Sequence, residues 1–167
     1  TDTAAAVNAD TSGVIYGDCD ITVTKNSTGT LNITSSMNTA IRSKDDIKLN
    51  GGNISINTDV DATSDADAIR ANNTLEIGGA SVTVTSSADG LKSSKEDVSI
   101  LSGKVSIKAG NDAVQAATAL NISGGTVTAS GDRVFTLDEN GVLAITGGDV
   151  LATATDYAFG MDSAGTA

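Results

Sequence analysis

Apolar and polar residues alternate at period two in short runs along most of this chain, and the runs return in the same order about every 22 or 23 residues. Leu75-Glu76-Ile77, Val98-Ser99-Ile100, Leu120-Asn121-Ile122 and Leu143-Ala144-Ile145 each lead, through a glycine-bearing turn, to Val82-Thr83-Val84, Val105-Ser106-Ile107, Val127-Thr128-Ala129 and Val150-Leu151-Ala152. Alternation buries one face of each run and wets the other. A fixed period built from strand-length words, with no helix-length word among them, predicts a β-solenoid.

Each coil divides into three strands. The first begins near Ile15, Ile41, Ile69, Leu91, Val114 and Val134, the second near Ile21, Ile47, Leu75, Val98, Leu120 and Leu143, and the third at Leu31, Ile54, Val82, Val105, Val127 and Val150. Every coil returns in the same direction, so the stack is parallel and a right-handed helix is the expected hand. Coils sit about 4.8 Å apart, and six of them make a rod on the order of 30 Å long. The expected fold is therefore all-β: a right-handed, single-stranded parallel β-helix of about six to seven coils with three short strands each. It forms one domain over 1–167, with core coils from about 14 to 152 and irregular or capping ends.

Glycine punctuates the corner before the third strand, at Gly29, Gly52, Gly103, Gly125 and Gly148. A column of glycine at a bend predicts positive φ, which other residues adopt at a cost. Ala80 interrupts the column after Gly78-Gly79, so that coil should bend differently. The residues between Asn57 and Asp67 lengthen the second coil and should form an outward loop. Ala158-Phe159-Gly160-Met161 echoes Ala40-Ile41-Arg42-Ser43 as the opening of another coil, so both ends are expected to be unfinished and to be capped by irregular segments or by another chain.

Charge narrows the partners. With 21 acidic against 10 basic residues the net charge is −11, which argues against nucleic acid, since phosphate backbones require clustered Lys and Arg. No apolar run approaches the roughly 18 residues of a membrane span, so membrane insertion is not expected. The single cysteine, Cys19, has no internal disulfide partner and should be a small turn or core residue.

Two columns could carry chemistry. Asp67, Asp89, Asp112 and Asp132 precede the first strands of successive coils, and stacking would bring their carboxylates about 5 Å apart. Something must compensate that repulsion: either a hard cation such as Ca²⁺, which takes oxygens from two coils, or turn hydrogen bonding with solvent screening. Candidate metal ligands are Asp65, Asp67, Asp89, Asn111, Asp112 and Asp132. The loop with Asp59, Asp61 and Asp65 is no EF-hand, because Ser64 and Arg70 fall where that pattern needs Gly and Glu. Arg42, Arg70 and Lys92, followed by Gln115, form an outward row beside the small residues Ala40, Ala68, Gly90 and Ala113. Such a row on a shallow shelf could cradle an anionic polymer, or could simply neutralise the Asp column. A Ser/Thr ladder through Ser55, Thr83, Ser106 and Thr128 reflects strand propensity, and its neighbouring column is too irregular for an ice lattice.

The phrases Ala40-Ile41-Arg42-Ser43-Lys44-Asp45-Asp46-Ile47, Asp89-Gly90-Leu91-Lys92-Ser93 and Leu120-Asn121-Ile122-Ser123-Gly124-Gly125-Thr126-Val127 resemble a family of bacterial carbohydrate-binding β-helix proteins found notably in clostridia. Its sequences repeat Asp-Gly-Ile-(Lys/His)-Ser followed by Leu-x-Ile-x-Gly-Gly-x-Ile, and the match runs roughly from Val14 to Ala152. The resemblance implies a polysaccharide-lyase-like parallel β-helix, several bound calcium ions, secretion or cell-surface anchoring, and binding of plant cell-wall polymers such as cellulose or polygalacturonate. It places the family's Asp on Asp67, Asp89, Asp112 and Asp132 and its basic position on Arg42, Arg70 and Lys92. Gln115 and Phe135 depart from the basic pattern.

The leading expectation is a non-catalytic, extracellular, calcium-binding module for an acidic polysaccharide, using the row Arg42, Arg70 and Lys92. Trp is absent and Tyr numbers only two, so affinity should come from charge and hydrogen bonds and depend on salt. A pectate-lyase-like enzyme, with Lys92 beside Asp89 as base, is the alternative, although nearly equivalent coils argue against one broken active-site coil. A structural adhesin or fibre subunit that self-associates end to end is the third reading.

Overall fold

In a computed structural model, the described residues are 13–36, 38–58 and 66–162. Among them every strand pairing is parallel and no helix occurs, so the chain is a parallel β-solenoid of about six turns. The first coil holds β1 (Ile15–Gly17), β2 (Ile21–Val23) and β3 (Thr30–Thr34), and the second holds β4 (Ile41–Ser43), β5 (Ile47–Leu49) and β6 (Asn53–Asn57). From the third coil onward strands run through corners instead of stopping at them. There β7 (Ile69–Ala71) precedes the long β8 (Leu75–Ser86), and β9 (Leu91–Ser93) precedes β10 (Val98–Ala109). They are followed by β11 (Asp112–Ala116), β12 (Ala119–Ile122), β13 (Thr126–Asp138), β14 (Val142–Ile145) and β15 (Asp149–Asp162). β13 closes the fifth coil and opens the sixth; β15 does the same for the start of a seventh, through Phe135↔Phe159.

The core follows from the alternation. Inward columns stack Ile41, Ile69, Leu91 and Val114 on one side, Ile47, Leu75, Val98 and Leu120 on the second, and Ile54, Val82, Val105 and Val127 on the third, all buried. A buried aliphatic side chain contributes about 1.5–3 kcal/mol relative to exposure. Each inward residue therefore supports the coils above and below as well as its own. Where the stack runs out, inward positions lie open at Ile145 and Phe159, and the last turns also expose Val142 and Leu151 beside the inward Leu143 and Val150.

The glycine corner is largely as expected. Gly52, Gly103, Gly125 and Gly148 have positive φ, from 77° to 97°, and at Gly125 a Cβ would also lie 2.6 Å from the carbonyl oxygen of Gly103 in the coil before it. Gly29 lies outside that set. In the third coil the bend moves to Gly79 with a register shift, which leaves Ala80 fully buried.

Two expectations are corrected by the register. The sixth coil aligns Phe135, not Val134, with Val114, and therefore Arg133, not Asp132, with Asp112. The corner from Ser130 to Arg133 is one residue shorter than the corner from Lys108 to Asp112 with which it is in register, and Asp132 is left exposed, its carboxylate accepting from Thr155 Oγ1. The expected shelf of small residues is also absent from the surface: Ala40, Ala68 and Ala113 are fully buried, and a Cβ on Gly90 would meet Ile107 Cγ2 at 2.5 Å. These residues are small because the core at that corner has no room. Asp59, Asp61 and Asp65 lie outside the described residues, as do both terminal segments that the capping expectation concerned. Cys19 is an exposed turn residue.

Candidate functional site

The outward row forms as its period demands. Tyr16, Arg42, Arg70, Lys92, Gln115 and Thr136 stand in direct register, one per coil. Three residues earlier in each coil runs a second column. In it Thr39 precedes Arg42, Asp67 precedes Arg70, Asp89 precedes Lys92 and Asp112 precedes Gln115.

These two columns lock together in the middle coils. Asp67 Oδ2 lies 3.5 Å from Arg70 Nη1, and Asp89 Oδ2 lies 2.7 Å from Lys92 Nζ. Gln115 cannot do the same for Asp112, so Arg133 of the next coil does, with Nε 2.7 Å from Oδ1 and Nη2 2.8 Å from Oδ2. Thr136 Oγ1 donates a further bond to Asp112 at 2.8 Å. The carboxylates also cap their neighbours' backbones: Asp67 Oδ1 accepts from the N–H of Asp89, and Asp89 Oδ1 from the N–H of Asp112 and from Asn111 Nδ2. Corner N–H groups outside the strand ladder thereby find acceptors, which buried backbone requires.

Burial, with the Asp89 carboxylate next, pushes Asp67 up to about 6. Desolvation disfavours the charged form, and the like charge one coil away adds to it.

That geometry bears on how well this column suits calcium. Ca²⁺ needs about six to eight oxygen lone pairs turned toward it. Here the side chains of Asp67, Asp89 and Asp112 are 6%, 3% and 1% exposed, and what faces them is Arg70, Lys92, Arg133 and N–H groups. Asn111 is committed too, its Oδ1 accepting from Arg133 Nη2 at 3.0 Å. Cations and donors occupy the directions an ion would need, so the residues do not fit Ca²⁺ in this arrangement. Elsewhere, Asp20, Asp45 and Asp46 bring carboxylate oxygens within 4.8 Å of one another at the next corner. Their oxygens likewise accept from Asp46 N–H, Asn73 Nδ2, Thr74 N–H and Lys48 Nζ.

Arg42 differs from its row. Thr39 stands where the later coils carry Asp, and among the described residues Arg42 makes no ion pair. It borders a cleft of about 230 Å³ lined also by Ser43, Lys44, Arg70 and Asn72, with three cationic side chains and no acidic one on its wall. Lys44 leans over the Tyr16 ring, 5.6 Å from its centroid, and pairs with the exposed Asp18 at 2.7 Å. That hydrogen bond raises the Lys44 pKa above its ordinary value and lowers that of Asp18.

The expected residues thus part company. Arg42 and Arg70 share a cleft, while Lys92 is held by Asp89 and lies outside its lining. As an ammonium donating to a carboxylate, Lys92 is poorly placed to act as a base, which needs a lone pair turned to substrate. Lys44 and Asn72 were not expected. Lys44 could have been found from its place two residues after Arg42, on the same outward alternation, and the missing Asp at Thr39 was visible as a break in the Asp column. A family model described as "Carbohydrate-binding domain-containing protein" matches residues 1–136. No curated protein and no solved structure matches the chain.

Proposed function

The chain belongs to the carbohydrate-binding domain-containing family, whose model covers 136 of its 167 residues, and on that premise we propose that it is a non-catalytic module for an acidic polysaccharide, with Arg42 holding a sugar carboxylate. The observation that carries this reading is the uncompensated guanidinium of Arg42 in a cleft whose other charges, Lys44 and Arg70, have the same sign. Guanidinium and carboxylate match as a bidentate, charge-assisted pair, and here no existing ion pair has to break for that to form. Polygalacturonate, with a carboxylate on every unit, is the polymer of choice. Such polymers are extracellular, and the module is proposed to work there.

A second cleft, lined by Val23, Ser27, Gly29, Leu31, Asn53 and Ile54 among others, has no charged side chain and offers a uronate nothing comparable. The reading also needs no ion at Asp67, Asp89 and Asp112. The test is binding to immobilised polygalacturonate. Wild type should bind at low salt and release as salt rises, Arg42→Ala should lose roughly tenfold in affinity, and a chelator should leave binding in place. Binding that ignores salt and Arg42, or that needs calcium, would refute this mechanism. Accumulation of unsaturated uronate, followed by its ultraviolet absorbance, would show a lyase instead.

A further inference from the structure

The cleft at Arg42 has surroundings that restrict how a polymer can pass through it. We infer that the uronate chain lies lengthwise on the solenoid, parallel to its axis, crossing Tyr16, Arg42, Arg70 and Lys92 in succession; this rests on the acidic-polysaccharide reading above.

Register supplies the track. Those four side chains occupy consecutive coils at one position, at about the 4.8 Å interval of parallel strands. A pyranose repeat advances a polymer by a comparable step, so each coil can meet about one sugar.

Charge supplies the walls. Three and four residues beyond Arg42 around the coil stand Asp45 and Asp46, clustered with Asp20, at most about 14 Å away along extended chain. A polyanion laid around the coil would run from the cationic cleft directly onto three carboxylates. On the other flank the Asp67, Asp89 and Asp112 column is buried and tied to Arg70, Lys92 and Arg133. Only the axial direction keeps a polyanion over cations for more than one unit. The track ends where Gln115 and Thr136 follow Lys92.

Arg70 and Lys92 do not need to give up their aspartates to take part. Arg70 donates through Nη1 to Asp67 and through Nε to Ser94, and a guanidinium has five N–H donors. Lys92 uses one of three donors on Asp89. Spare donors on both suit sugar hydroxyls.

The experiment is calorimetric titration with oligogalacturonates of increasing length. Wild-type affinity should rise up to about four units, the number of coils in the track, and then level off. Lys92→Ala paired with Asp89→Asn, which avoids an uncompensated buried carboxylate, should weaken the tetramer roughly fivefold and leave the dimer unchanged. Lys92→Arg should behave as wild type. Lys48→Ala, on the next side of the second coil, should change neither ligand. Sensitivity to Lys48 with indifference to Lys92, or levelling at two units, would overturn the axial direction while leaving the acidic-polysaccharide reading standing. Failure of the wild type to bind any length would sink both. If the double variant does not fold, the length series alone decides.

Discussion

Coils two and three carry arginine at the same outward position, Arg42 and Arg70 in direct register, yet the two side chains have different employment. In coil three the residue three places earlier is Asp67, and Arg70 is drawn back to it. In coil two that place is Thr39, and among the described residues Arg42 has no carboxylate to serve. The same contrast recurs lower down, where Asp112 lacks a cation in its own coil and recruits Arg133 from the next. Within the row Arg42, Arg70 and Lys92, whether the cation is tied down therefore follows the residue three positions upstream, not the cation itself.

Substitutions can push each coil toward the other's state. The largest effect is expected from Arg133→Ala, which leaves Asp112 buried without its ion-pair partner; such losses cost about 3–5 kcal/mol. In a chain of this length that is on the order of 10 °C in Tm. A thermal melt reads it, and a loss under about 1 kcal/mol would mean that Asp112 is held well enough without Arg133, with Thr136 still donating to it.

Asp67→Asn comes next, with a signature in pH. Asp67 titrates near 6 in the folded chain against an ordinary 3.8, so the folded state holds the proton more tightly than the unfolded one. Wild-type stability from this group rises as pH falls from about 6 toward 3.8, and the full cost of the ionised form is present above 6. The Asn variant should gain about 1–2 kcal/mol near pH 8, after discounting the lost pair with Arg70, and nothing near pH 3.5. Urea melts at the two pH values test this, and equal effects at both would refute it.

Thr39→Asp converts coil two into a copy of coil three. Arg42 should close on the new carboxylate, and affinity for polygalacturonate should fall roughly tenfold, as for loss of the guanidinium itself. Unchanged affinity in the folded variant would break the comparison. The smallest effect is on stability in Arg42→Ala, expected within about 0.5 kcal/mol because no intramolecular partner is lost. A larger destabilisation would show that Arg42 is structural after all.

Much of this architecture was legible in residue order. Inward columns such as Ile47, Leu75, Val98 and Leu120 follow from period-two alternation repeated at one coil length, because a slip of one residue would turn every side chain inside out. The row Arg42, Arg70, Lys92 followed for the same reason. Illegible were features set by three-dimensional crowding or by local slippage. Ala40, Ala68 and Gly90 look like an open shelf in sequence and prove to be packed core, since smallness alone does not say which side is crowded. Arg133 takes the place expected for Asp132 because the corner between Ser130 and Arg133 is one residue shorter than its counterpart in the coil before, a slip that strand alternation does not record. The role of the aspartates was open between ion and turn chemistry, and only distances to Arg70, Lys92 and Arg133 showed what faces them.

Constant register from coil to coil has an evolutionary corollary. Duplicating or deleting one turn of the spring shifts the number of contact points without disturbing any other, and exchanging Thr for Asp at a single corner toggles one of them between grip and girder. A lineage built on such a rod can lengthen its reach along a polymer, or retune its taste for charge, by edits far smaller than a new fold.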